Sequence, residues 1–137
     1  MVNANKLIDI RLGQKAFIVG MTGSGKSILT RSLVSQYPNV LVINEKGDFY
    51  LPHAIYVSDI NVLPAALDEQ RDSPLEPIVY KPDPDYWNFE DYNEVYRLVY
   101  MRHNMTIVTD EVYEVMKNTS FPRWYQAVLT RGRALKI

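Results

Sequence analysis

Short apolar runs alternate with amphipathic stretches along nearly the whole chain, the pattern of an α/β protein with a mostly parallel sheet. Lys6–Leu12 alternates apolar and polar positions through Leu7, Ile8, Ile10 and Leu12 and predicts a leading strand. Ala16–Val19 predicts a short buried strand, Gly20–Gly25 a glycine-rich turn, and Lys26–Tyr37 a helix whose Leu29, Leu33 and Tyr37 share one face. Pro38 and Asn39 stop that helix. Val40–Ile43, Ile55–Val57 and Ile78–Tyr80 read as further strands. A short helix is expected over Pro64–Arg71, because proline suits a first helical turn, and Pro82 and Pro84 mark a loop.

Asn88 is a natural N-cap, with Glu90 and Asp91 favourable in the first turn of a helix running to about His103. Phe89, Tyr92, Tyr96, Val99 and Tyr100 form a stripe at helical spacing; core packing is the expected use, a stacking platform for nucleic-acid bases the weaker one. Arg102 and His103 suit a helix C-terminus, and His53 is expected to be an ordinary loop residue. Thr106–Thr109 reads as a strand closing on Asp110 and Glu111. Trp124–Arg131 reads as a helix capped by Gly132, and Leu135–Ile137 as the start of another strand.

The 137 residues suit one domain spanning 1–137, and 47 % hydrophobic residues give material for a sizeable core. A net charge of −1 offers no global electrostatic sign of nucleic-acid binding, so any such binding needs a local basic patch. The absence of cysteine excludes disulfide scaffolds, thiolate zinc sites and cysteine chemistry. No apolar run nears the roughly 18 residues of a membrane span, and Met1–Lys6 lacks a signal-peptide core, so a cytoplasmic protein is expected.

The sharpest signal is G-M-T-G-S-G-K-S, Gly20 to Ser27, which matches G-x-x-x-x-G-K-[ST] in full between a predicted strand and a predicted helix. In such a loop glycines let successive N–H groups turn inward around phosphate oxygens, and the helix aims its positive end at the same anion. Gly20, Met21, Thr22, Gly23, Ser24, Gly25, Lys26 and Ser27 are therefore the expected nucleotide-binding residues. Lys26 would reach the β- and γ-phosphates, and Ser27 would supply a hydroxyl to Mg²⁺. Asp110 would hold the Mg²⁺ of a bound Mg-ATP, and Glu111 would polarise an attacking water. That pairing favours ATP hydrolysis over transfer to an acceptor, which generally needs no water-activating glutamate at this place.

With both motifs present, the sequence resembles the FtsK/HerA branch of P-loop ATPases, most closely phage and viral genome-packaging and DNA-translocating ATPases. Besides the phosphate loop, V-L-V-I-N-E-K-G-D-F (Val40–Phe49) is similar to the family's second strand and its D-x-K-G-[DE]-[FY] turn. I-V-T-D-E (Ile107–Glu111) looks like its Walker B strand, and L-T-R-G-R-A-L-K-I (Leu129–Ile137) resembles its G-R-x-x-G-I segment. The resemblance implies a three-layer RecA-like (ASCE) P-loop NTPase domain working on double-stranded DNA as a homo-oligomeric ring, a hexamer among the forms implied, in host cytoplasm or in a virion if viral. Lys46 and Asp48 fall in the second-strand motif, on the nucleotide side of the sheet or in a solvated turn. Arg131 and Arg133 would present guanidinium groups to a neighbour's γ-phosphate or to a DNA backbone, or simply end a helix on the surface.

The chain departs from the family where Asn44 replaces a frequent aspartate. It also stops as a further strand is expected to begin, with no γ-phosphate-sensing polar residue after the Walker B strand. The expectation is either a domain truncated on its C-terminal side and lacking its last strands, or one in which the leading Lys6–Leu12 segment compensates. Two other functions compete: a small P-loop nucleotide or metabolite kinase, for which no basic lid is visible, and a non-hydrolysing nucleotide-binding assembly module.

Overall fold

A computed structural model describes residues 10, 11, 13–16, 18–44, 49–85, 88–116 and 118–137. Its elements run α1 (Lys26–Val34), β1 (Val40–Ile43), β2 (Ile55–Val57), α2 (Leu63–Glu69), β3 (Ile78–Tyr80), α3 (Phe89–Arg102), β4 (Thr106–Thr109), a 3-10 turn (Val112–Val115), α4 (Arg123–Arg131) and a second 3-10 turn (Gly132–Leu135). The four strands form one all-parallel sheet in the order β2-β3-β1-β4. Leu41 of β1 sits between Ile78 of β3 and Ile107 of β4, so β1 is hydrogen-bonded on both edges.

Period-two alternation in β1 feeds two separate cores. Val40 and Val42 join Val34 of α1, Phe49, Leu51 and Val79 on one face. Leu41 and Ile43 join Leu63, Leu67, Ile78, Tyr80 and the aromatic stripe of α3 on the other. Every residue of β1 is buried, as expected for a central parallel strand covered by helices on both faces. The result is a three-layer α/β arrangement. Among the described residues no helix is long and apolar enough to cross a membrane.

The stripe on α3 packs as core: Tyr92, Val95, Tyr96 and Val99 are buried and α4 lies against them. The Asp91 carboxylate accepts the Asn88 N–H at 3.0 Å, which fixes the helix start. His103 ends it with a φ of 63°, and its N–H donates to the Val99 carbonyl.

The structure corrects several expected boundaries. The first helix ends at Val34 rather than Tyr37, because Gln36 and Tyr37 donate to the carbonyls three residues back and the last turn tightens. The second helix begins at Leu63, one residue before Pro64, and α4 starts at Arg123 after Pro122. Gly132 is the C-cap of α4, as expected, and keeps a right-handed backbone. Its φ is −58°, and the chain passes into a 3-10 turn closed by the Ile137 N–H on the Gly132 carbonyl. No strand therefore starts at Leu135–Ile137; Lys136 adopts a left-handed φ of 55° and Ile137 is buried.

Ala16–Val19 is likewise not a buried strand. Ala16, Ile18 and Val19 take no place in the sheet, Val19 is 91 % exposed, and Phe17 lies outside the described residues. A short apolar run becomes a strand only by joining a ladder, and among the described residues only β1 bonds to β4. Of the leading strand expected over Lys6–Leu12, only Ile10 and Arg11 are described, and neither is in the sheet.

Candidate functional site

Parallel strands all end on the same side, and ligands of open α/β sheets bind outside those carboxyl ends. At that edge β1 is followed by Asn44 and β4 by Asp110 and Glu111. Asn44 is buried; its N–H donates to the Tyr80 carbonyl at 2.9 Å, and its side-chain amide to the Phe49 carbonyl at 3.2 Å. It braces the chain leaving β1. Lys46 and Asp48 lie outside the described residues.

The glycine-rich segment forms a compact loop that runs directly into α1. Gly23 and Gly25 have φ of +80° and +90°, values a side chain resists, and Gly25 is the N-cap of α1. A Cβ built at either would touch nothing within 4 Å, so glycine is needed for backbone conformation and not for room. The Ser24 N–H closes a turn on the Met21 carbonyl at 3.1 Å. Lys26 folds back over the loop: its Nζ donates to the carbonyls of Gly20 at 2.6 Å and Met21 at 2.9 Å. The ammonium thus sits at the mouth of the loop, and the Ser27 side chain is exposed beside it.

Lys26, Ser27 and Thr30 of α1 line one cleft of about 490 Å³ together with Thr109, Asp110 and Glu111 from the end of β4. Residues separated by more than eighty positions in sequence are thereby brought to one opening. The Asp110 N–H donates to the Ile43 carbonyl at 3.0 Å, extending the β1–β4 ladder by one bond. Glu111 then turns sharply with a φ of +55°. A long side chain in this conformation costs about 1–2 kcal/mol, and such backbone outliers cluster at functional sites.

Tyr96, fully buried on α3, also lines the cleft, and its hydroxyl lies 2.7 Å from Thr109 Oγ1. Burial pushes this phenol well above its ordinary range, and the bond to Thr109 offsets only part of that rise. Sequence reasoning placed Tyr96 in the core but missed the bond. The available signal was tyrosine rather than phenylalanine at a buried position, since a buried hydroxyl needs a partner.

Arg131 and Arg133 are exposed and line a second opening with Tyr100 and Thr130; neither lines the cleft of Lys26 and Glu111. Lys26, Ser27, Asp110 and Glu111 thus line one cleft that runs along β4, whereas residues 20–25 and the two arginines do not line it.

The Lys26 ammonium and the α1 N-terminus bring positive charge to this cleft, which residues 20–25 do not line, and the Ser27 hydroxyl and the Asp110 carboxylate are oxygen donors that could serve a hard cation. Among the described residues no three His, Cys, Asp or Glu side chains gather as a metal cage. A cation at this site would draw on ligand oxygens as well. The class these observations define is an α/β protein with a glycine-rich loop and an acidic turn at the carboxyl edge of a parallel sheet. No protein-family model, curated protein or solved structure matches this chain.

Proposed function

We propose that this chain binds Mg-ATP and hydrolyses it as the P-loop core of a DNA-translocating or genome-packaging motor. The observation that carries the reading is that Lys26 and Ser27 line the same cleft as Asp110 and Glu111, a cleft that runs along β4 to its carboxyl end. Loop amides and Lys26 would grip the triphosphate, Lys26 exchanging its two carbonyl contacts for phosphate oxygens. Mg²⁺, held by Ser27 and Asp110, would supply charge neutralisation at the phosphates. Glu111 would orient a water for attack, a positioning task that needs no unusual acidity. Arg131 and Arg133, exposed and lining a different opening, would on this reading serve a neighbouring subunit or a DNA backbone rather than this chain's own nucleotide.

ATP turnover with and without double-stranded DNA tests this reading, alongside Lys26→Ala and Glu111→Gln. The expected result is DNA-stimulated turnover, abolished by Lys26→Ala through lost nucleotide binding and by Glu111→Gln with binding retained. Retained turnover in Glu111→Gln removes Glu111 from its role, and ADP production that requires an added acceptor favours a kinase. One observation favours a second reading, a non-hydrolysing nucleotide-binding assembly module: residues 18–20, leading into the loop, take no place in the sheet. ATP binding without turnover by the wild type selects that module.

A further inference from the structure

The acidic turn is held twice where it leaves β4. On the main-chain side, Asp110 is tied to Ile43 of β1 at 3.0 Å. On the side-chain side, Thr109 is tied to Tyr96 of α3 at 2.7 Å. Alternation along β4 puts Thr109 on the same face as Ile107, the face packed against α3 and α4. Tyr96 has little freedom to leave this bond. The Tyr125 ring of α4 meets it edge-on, centroids 4.8 Å apart at 70°, and Phe121 packs on Tyr125 at 4.7 Å. Between these anchors and Val112 the chain must accommodate the left-handed Glu111. A strained residue keeps its conformation only when its surroundings over-determine it.

We propose that Tyr96 is a positioning residue that holds the Asp110–Glu111 turn in place through the Thr109 hydroxyl; this rests on the reading of that turn as the hydrolytic half of the site. Tyr96 touches no reacting atom. It sets the direction in which the two carboxylates leave β4, and it links that direction to α4 through Tyr125. Nucleotide grip by the loop does not pass through this bond.

The test compares Tyr96→Phe, Thr109→Val, Thr109→Ser and the Tyr96→Phe/Thr109→Val double variant. It reads kcat and KM for ATP, and amide hydrogen exchange at Asp110. Phenylalanine keeps the ring against Tyr125, and urea unfolding checks that each variant is folded. The expected result is a kcat loss of about tenfold in Tyr96→Phe and in Thr109→Val, with KM within about twofold. Thr109→Ser, which keeps the hydroxyl, should turn over as the wild type. The double variant should be no slower than either single one, because both remove the same bond. Asp110 exchange should quicken in Tyr96→Phe and Thr109→Val. Wild-type turnover and unchanged Asp110 protection in these two variants overturn the proposal, as do losses that multiply in the double. Should the wild type bind ATP without hydrolysing it, the hydrolytic reading fails by itself. Asp110 exchange still decides the role of Tyr96: quickened exchange supports it and unchanged exchange overturns it.

Discussion

Arg102 Nη1 donates to Gln70 Oε1 at 2.7 Å, joining the ends of α3 and α2 where the central strand begins. Gln70 is fully buried, and its amide nitrogen donates both to the Val40 carbonyl at 3.0 Å and to the Glu76 carbonyl at 2.8 Å. Arg102 also reaches Asn39 Oδ1 at 3.3 Å. One side chain thus fastens two helices and a loop to the start of β1. Gln70→Ala should cost about 2–3 kcal/mol, because it strips buried carbonyls and a guanidinium of partners at once. Arg102→Ala should cost less, since its guanidinium is only partly buried, and the two losses should not add. Urea unfolding of both singles and the double gives the answer, and strict additivity would contradict the shared network.

Gly25 and Gly132 should respond oppositely to alanine. Gly25 has a φ of +90° with open space around a would-be Cβ, so its whole cost is conformational, about 1 kcal/mol of stability. Gly132 is helical at φ −58°, and its would-be Cβ meets Ile137 at an ordinary 3.4 Å. Gly132→Ala should therefore be neutral or stabilising by up to about 0.5 kcal/mol. Denaturant midpoints of the two variants decide; a larger loss at Gly132 would mean that the end of α4 is not helical there.

High pH should unfold the protein through its buried tyrosines. Burial raises the Tyr96 and Tyr125 hydroxyls above the ordinary value. Above about pH 10 the unfolded chain sheds phenolic protons that the folded chain keeps, so stability present below that pH is lost as pH rises. For Tyr96, the more strongly shifted of the two, the slope should approach about 1.4 kcal/mol per pH unit. Tyr96→Phe should flatten the fall measured by urea unfolding between pH 9 and about pH 11. An unchanged slope would place the Tyr96 hydroxyl in water.

On the proposed reading, Ser27→Ala should act on the metal more than on the nucleotide. The Mg²⁺ concentration for half-maximal turnover should rise by about tenfold, while metal-free nucleotide binding through Lys26 and the loop amides changes little. Isothermal titration with and without Mg²⁺ separates the two effects. Equal loss of both would take Ser27 out of the metal's coordination.

The legible parts of the fold were those written in local pattern. All four sheet strands appear at their expected positions, since runs such as Val40–Ile43 are too apolar and β-branched for any other use. The Asn88 start of α3 and the buried tyrosine stripe were equally readable, because capping and helical spacing depend on residues within a few positions. The glycine loop was legible too: the positive φ at Gly23 and Gly25 is a conformation that glycine alone adopts freely. The local reading failed wherever a distant partner decided the outcome. Ala16–Val19 has the composition of a strand, yet its described residues join no ladder, and Leu135–Ile137 curls into a turn against Gly132.

Sequence by itself determined the left-handed glycines of the loop, most strand and helix segments and the alternation that sends β1 side chains to two cores. These depend on φ preference and on periods of two and 3.6 residues, which neighbours in sequence dictate. Tertiary structure alone decided the strand order β2-β3-β1-β4, the cleft that Lys26 and Glu111 both line, the different opening that Arg131 and Arg133 line, and the Tyr96–Thr109 bond. Each of these is a relation between residues far apart along the chain. It exists only once parallel strands align their carboxyl ends and helices cover both faces, because hydrogen-bond ladders and close packing are settled between elements rather than within them.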